Sequence, residues 1–530
     1  MSTSSTTRRA SFPVRKPTTI PMAKQRRAVR ALAPLALLLA TPAQADWKFT
    51  PTLDVRETYT DNSRLAPRAE ARGDWYAEVT PGFSLSNHSR RFSFDSSYQL
   101  HYYYGLEDGR GPVDRVQSQL GAKLRSELAE GLLYFDASAS ISQQAISAFE
   151  PLPQGNFFNP NRAEVRSWSA SPYLVHRFGT AATATLRYAR DSVDTGTAGI
   201  GTSEGDTVSF SLASGPGFRD FGWNVQASEQ RVTENFAPET TARNANIGLR
   251  YKLSRTLAAT ASVGYDDYDY QAIGGKSGGR AWSGGFSWTP STRTQVDASV
   301  GRRFYGPSYY LSAVFRTRRS AWDLQYNDMV STTRAQFVLP SAVSTADMLD
   351  RLFAATVPDP VARQRAVQAY MQATGLPPSL IDNVNYFSNR YFLQKELRAS
   401  AAWRSVRTRL MLTAFSNRRT ALSTLDADSQ FLGPNQLTLN DATRQAGASA
   451  VWNYTLNSRT EANATINAIR AESESARLDA DHRFATLSLV SRFGRKLTGT
   501  LELRRNVGPS VVSGAGYTEN AVSAALNLRL

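Results

Sequence analysis

Apolar and polar residues alternate one for one through segment after segment of this chain, and that period of two limits the fold more than any other feature. From Trp47, "WKFTPTLDVRETYT" puts Trp47, Phe49, Pro51, Leu53, Val55 and Tyr59 on one side. Lys48, Thr50, Thr52, Asp54, Arg56, Thr58 and Thr60 fall on the other. Successive side chains of a strand point to opposite faces, so this reads as a strand between two different environments. "TQVDASVGRRF" likewise sets Val296, Ala298, Val300 and Phe304 against Asp297, Ser299, Gly301 and Arg303. "ANATINAI" sets Ala462, Ala464, Ile466 and Ala468 against Asn463, Thr465 and Asn467, and "KLTGTLELR" sets Leu497, Gly499, Leu501 and Leu503 against Thr498, Thr500, Glu502 and Arg504. The polar faces carry charges, which a water-filled lumen tolerates, and the apolar faces are too small for a packed sandwich core.

The connections alternate too. About ten tight turns, such as "SNHSRR" (86–91), "LSRT" (253–256), "RSVRT" (404–408) and "RFGRK" (492–496), alternate with longer, uneven links, the pattern of short turns on one rim and long loops on the other. A solenoid would need a fixed repeat length instead. Phe178, Tyr251, Trp288, Trp403, Trp452, Tyr454 and Phe493 stand beside the short turns, while "HYYYG" (101–105), "YDDYDY" (265–270) and "RFYGPSYY" (303–310) stand at the far strand ends. Two such belts mark two membrane interfaces. The C-terminal strand has Val522, Ala524, Leu526, Leu528 and Leu530 on its lipid face. The expectation is an all-β fold: a transmembrane antiparallel outer-membrane β-barrel of about 22 strands, within a range of roughly 20 to 24.

Residues 1–45 contain no Asp or Glu, a basic run (Lys24, Arg26, Arg27, Arg30), the apolar stretch "ALAPLALLLA" and the small-residue site "AQA". This reads as an N-terminal extension and secretory signal, cleaved near Ala45, with translation starting at Met1 or Met22. The mature barrel then spans 46–530. Of the net charge of +16, eight positives lie in residues 1–45, which leaves +8 on residues 46–530. Those basic residues are dispersed, mostly Arg, and many fall at short turns, so nucleic acid is not an expected partner. The absence of Cys leaves no disulfide framework, covalent haem motif or thiolate metal site.

One segment, 331–393, breaks the strand pattern. Within it, residues 340–385 carry helix signals: Ser344 as N-cap before Met348, Leu349, Leu352 and Phe353, then Asp359 as cap, Pro360 at the first helical position and Gly375 as stop. The expectation is a helical insert on the outer side, acting as a lid or lumen constriction. Chemistry is sparse. His88, His101, His176 and His482 show no metal-ligand spacing, and no nucleophile or nucleotide motif is present. Asp266, Asp267 and Asp269 form the nearest candidate for a rim site. The expectation is no enzyme, no cofactor and no metal.

"FTPTLDVRETYTDNSRL", followed by "WYAEVTPGFSLS" (75–86), "FSFDSSYQLHYYYG" (92–105) and "VPDPVARQRAVQAYMQATGLP" (357–377), resembles the outer-membrane barrel family associated with PEP-CTERM/exosortase systems of Gram-negative exopolysaccharide loci. The motif residues are Thr58, Tyr59, Thr60, Asp61, Asn62, Pro81 and Gly82. The resemblance implies a role in passage or assembly of exopolysaccharide across the outer membrane, and brings no catalytic residues. The expected partners are outer-membrane lipid and lipopolysaccharide, a polysaccharide, and periplasmic export proteins. Asp297, Arg303, Asn463, Asn467, Glu502 and Arg504 are the expected lumen-facing groups. A general or solute-specific porin and a barrel sheath for an electron-transfer conduit fit the same sequence.

Overall fold

The computed structural model describes residues 47–530 apart from 106–115, 153–154, 157, 160, 196–200, 236–237, 274, 276, 339–387, 389, 425–440 and 510–515. The expected signal region (1–45) and the 340–385 insert lie outside the described residues. The strands are β1 (Lys48–Thr60), β2 (Asp74–His88), β3 (Phe92–Tyr104), β4 (Val116–Ala129), β5 (Leu133–Gln144), β6 (Ala163–Phe178), β7 (Ala182–Thr195), β8 (Thr202–Ser214), β9 (Phe221–Glu234), β10 (Thr240–Lys252) and β11 (Leu257–Asp269). They continue as β12 (Gly278–Ser291), β13 (Thr294–Arg303), β14 (Gly306–Arg316), β15 (Ser320–Thr332), β16 (Tyr391–Arg404), β17 (Thr408–Ala421), β18 (Ala442–Thr455), β19 (Thr460–Ser473), β20 (Leu478–Arg492), β21 (Leu497–Pro509) and β22 (Gly516–Arg529). A single described helix, α1 (Thr333–Val338), follows β15.

Each strand pairs antiparallel with its neighbours in the chain, and β1 pairs with β22 from Thr52↔Arg529 to Thr60↔Ala521. The sheet of 22 strands is therefore a closed ring with no free edge. Closure is stapled at both ends. Leu530 N donates to Pro51 O at 3.0 Å, and Asp61 accepts from both Asn520 N and Asn520 Nδ2 at 2.7 Å. Asp61 thus belongs to the seam rather than to the following turn. The turn is Asn62's work: its side chain accepts from Ala66 N at 2.9 Å and donates to Ala66 O at 2.7 Å.

The outward face is an apolar band. Val55, Leu186, Ile247, Val263, Val300, Ile466, Leu487, Leu501 and Leu526 are all exposed. Aromatic side chains bracket it, as Phe49 and Tyr59 do on β1. Ten residues at about 3.3 Å each, tilted by roughly 40°, separate them by about 25 Å in height, the thickness expected of a lipid-facing band.

Along β20 the two faces exchange character. Outward, Asp479, Asp481 and Arg483 give way to Ala485, Leu487 and Leu489. Inward, buried Ala480, His482 and Phe484 give way to Thr486 and Ser488. The charged outward stretch stands above the lipid, and at that same level the inward face is dry. Something fills the outer half of the lumen.

Candidate functional site: the lumen and the segments that close its outer mouth

The filling segment is the link between β5 and β6, residues 145–162. Its described residues pair with no strand, so their backbone groups must be satisfied in another way. Three asparagines do this. Asn161 accepts from Ile146 N (3.1 Å) and Ser147 N (2.8 Å), and donates to Ser147 O (2.8 Å) and Pro151 O (3.0 Å). Asn159 donates to Pro151 O at 2.8 Å and accepts from Asn161 N at 2.9 Å. Asn156 accepts from Phe158 N at 2.8 Å.

Apolar side chains then seat the segment on the opposite wall. Ala145 and Leu152 pack with Phe415, Ile469 and Phe484. Ala148 and Phe149 pack with Phe392, Ala421, Ala471 and Ala480. Phe158 meets Tyr76 edge-on at 5.5 Å. His482 Nε2 donates to Ala148 O at 3.1 Å from within a fully buried position.

The strongest anchor lies at the barrel seam. Glu519 on β22 is fully buried and accepts from Thr60 Oγ1 on β1 (2.9 Å) and from Asn506 Nδ2 (2.6 Å) and Arg504 Nη2 (3.1 Å) on β21. It also accepts from Asn156 Nδ2 of the in-turned segment at 2.8 Å. Arg504 Nη1 donates in turn to Gly155 O at 2.7 Å. Gly155 is needed twice over. Its φ is +68°, and a Cβ there would stand 2.7 Å from Arg504 Nη1. One carboxylate therefore ties the closure of the barrel to the closure of its mouth.

Two further chords cross the mouth. Helix α1 reaches from β15 to the β6–β8 wall, where Arg334 pairs with Asp191 and Phe337 packs with Ala163, Val165 and Val193. The link after β11 reaches the end of β17: Ile273 N donates to Leu422 O at 2.8 Å, and Thr424 N to Gln271 O at 2.9 Å. In that link, burial beside Tyr268 and Tyr391 pushes the Tyr270 hydroxyl above its ordinary pKa.

Below these chords the lumen is polar. Over β8–β13 most inward residues are small and neutral, including Ser209, Asn224, Gln226, Asn244, Asn246, Thr260, Ser262 and Ser283, with Glu234, Arg250, Asp266, Asp297 and Arg303 among the charged exceptions. Over β2–β7 the wall carries charge of both signs. Asp136 is shared between Arg125 (3.4 Å) and Arg187 (3.3 Å), and His88 meets Asp95 at 3.2 Å. Arg187 also lies 3.9 Å above the ring of Tyr173, which stacks on Tyr134 at 5.1 Å.

The residues expected to face the lumen sit on inward strand positions, in three separate places. Glu502 is 3.9 Å from Arg56, with Arg504 next to it in the seam cluster. Asn463 accepts from Asn453 Nδ2 at 2.6 Å, with Asn467 further along the same strand face. Asp297 accepts from Gln295 at 2.7 Å, and Arg303 donates to Asp266 at 3.3 Å. Asp266 is buried on the inward face, while Asp267 and Asp269 are exposed on the outward one, so the acidic run is no single site. Among the described residues no three His, Asp or Glu side chains gather as a metal site.

The motif residues divide by face. Thr58 and Thr60 are buried inward, and Tyr59 packs outward against Trp75, tilted by 46° with ring centroids 5.0 Å apart. Pro81 interrupts the ladder between β2 and β3 over Thr80–Pro81, because it has no N–H to give. At Gly82 a Cβ would stand 2.7 Å from Tyr98 O.

No family model and no curated protein matches this chain. Among solved structures it is similar to the siderophore receptor PirA from Pseudomonas aeruginosa, at 11% identity and a TM-score of 0.42, covering 92% of this chain and 81% of the receptor. It is also similar to the FrpB iron transporter from Neisseria meningitidis, at 9% identity and a TM-score of 0.47, covering 91% and 81%. The barrel assignment rests on the chain's own strand pairing.

In the sequence the link around 146–165 reads as one of the longer, uneven connections. Its signal was the run "NFFNPN" (156–161), since asparagine at that density supplies backbone partners where no ladder can. Glu519 was also visible, as an acid at an inward position of the last strand.

Proposed function

We propose that this protein is a non-enzymatic outer-membrane conduit for an exopolysaccharide, acting with periplasmic export partners as in PEP-CTERM/exosortase systems. The observation that carries this is the division of the lumen. A ring of 22 strands is too wide for its own side chains to fill. Its lower wall offers hydroxyls, amides and paired charges, with the Tyr134–Tyr173 stack beside them. Such a surface hydrogen-bonds a hydrated chain of sugars without holding it at one strong site. The outer mouth is crossed by segments seated on the apolar upper wall, as a channel for a polymer requires if the envelope is not to leak when idle. The resemblance of the mature N-terminus to the exopolysaccharide-linked barrel family supports the same reading.

A porin for small solutes is favoured by one feature, the closure itself, because a closed mouth leaves only narrow passages. Two measurements separate them. Loss of the gene is expected to abolish extracellular polymer and leave small-solute uptake unchanged; the reverse pattern refutes the polymer reading. In planar bilayers, removal of 146–161 is expected to turn a low-conductance barrel into a wide one.

A further inference from the structure

The short-turn rim holds a charge pattern that the conduit reading leaves unused. The ten short links between strands carry eleven Lys and Arg against two acids, Glu130 and Asp220, a net of +9. The eleven links on the other rim net −2. Residues 46–530 together net +8, so the short turns hold more than the whole surplus. Three turns carry pairs, Arg90 with Arg91, Arg318 with Arg319 and Arg495 with Lys496, and five others carry one arginine each. All eleven side chains belong to exposed residues. Among the described residues only Arg90 and Arg91 have a carboxylate partner, Glu130.

Neighbouring short turns are two strand spacings apart, about 10 Å. That is close to the screening length of roughly 8–10 Å at physiological salt. From the β10–β11 turn round to the β2–β3 turn, seven successive short turns net +10 and merge into a positive arc around most of the inner mouth, while the three between β4 and β9 net −1. A small anion would use one turn of the arc; only a polyanion engages many turns at once. The lumen above carries charge of both signs, with Arg303 on Asp266 over β11–β13 and Arg125 and Arg187 on Asp136 over β2–β7, so an anionic chain is attracted at the mouth and meets no comparable run of unpaired cations among the described residues of those walls.

We propose that the short-turn arc captures an acidic, carboxylate-bearing polysaccharide from the periplasmic side and feeds it to the lumen. This rests on the conduit reading and adds the charge of the substrate and the side from which it arrives. The test uses the full barrel in zwitterionic bilayers, with polygalacturonate and dextran of equal length as probes. Polygalacturonate added on the short-turn side is expected to block current at a concentration lower than dextran by roughly tenfold or more. Neutralising the three pairs to Gln (R90Q, R91Q, R318Q, R319Q, R495Q, K496Q) is expected to remove most of that difference. So is raising salt from about 0.1 M to about 1 M, which shortens the screening length to roughly 3 Å.

Equal block by both polymers, equal block from both sides, or block unchanged in the variant overturns the arc. So does a variant effect that appears only when anionic phospholipid is added, which assigns the arc to lipid. Retention of the detergent-solubilised barrel on immobilised polygalacturonate, against immobilised dextran, reads the arc without current. Retention without conductance counts against the conduit and leaves the arc standing; conductance without preferential retention overturns the arc alone.

Discussion

The inward residues of β17 and those of β10 stand on the same ring of strands but meet different neighbours. On β17, Met411, Thr413, Phe415 and Asn417 are all buried; on β10, Asn244 is exposed and Asn246 half-buried. The first wall is built to be covered and carries apolar groups that demand it. The second is built for water and carries amides and small hydroxyls. An apolar side chain at an inward position of a wide barrel therefore marks where another segment lies against the wall. Phe415, Ile469 and Phe484 are such marks, and the β5–β6 segment covers all three.

The largest break in this comparison comes from removing the cover. Replacing residues 146–161 with a short Gly-Ser link is expected to raise single-channel conductance several-fold. The ring of strands is expected to stay closed, because its ladder does not use the segment. Conductance in bilayers and heat-dependent migration on gels measure the two effects separately. An unchanged conductance would show that the segment does not limit the passage.

Next in size is Glu519→Ala. It strips the partner from Arg504, whose side chain is 8% exposed, and releases Asn156. Breaking a buried pair by removing one member costs about 3–5 kcal/mol. The variant is expected to lower the thermal unfolding midpoint and also to open the mouth more often. Glu519→Gln keeps an acceptor and is expected to do less of both. A midpoint shift with no change in gating would confine Glu519 to the seam.

The barrel, its 22 strands and its lipid face were legible in the sequence because the membrane enforces them locally. Every strand must alternate, and every short turn must close within a few residues. Which inward residues are wet was not legible from period alone. Ile469 and Asn463 share one parity on β19, yet one is buried under the β5–β6 segment and the other faces the lower lumen. That distinction depends on contacts between residues more than 300 positions apart, such as His482 with Ala148. Alternation carries no information about them. Arg504 sits at an inward position, as its parity implies, and there its guanidinium is committed to Glu519 and Gly155.

A smaller effect tests whether backbone geometry holds the cover in place. Gly155→Ala forces a side chain onto a residue with φ of +68° and into the Arg504 guanidinium. A left-handed non-glycine residue costs about 1–3 kcal/mol. The cost falls on the covered state alone, so channel openings are expected to become more frequent while the unfolding midpoint changes little.

The smallest effect is expected on the open wall, and it is the control that gives the others meaning. Ser262 and Ser283 face each other across β11 and β12, with their hydroxyls 2.7 Å apart. Ser262→Ala removes a hydrogen bond worth about 1 kcal/mol or less, and lumen water can replace the lost partner of Ser283. Neither the unfolding midpoint nor the conductance is expected to move beyond error. If this variant opened or closed the channel as Gly155→Ala does, the β8–β13 wall would be seating a segment of its own. The contrast between a covered wall and a wet one would then fail at the residue chosen to represent the wet side.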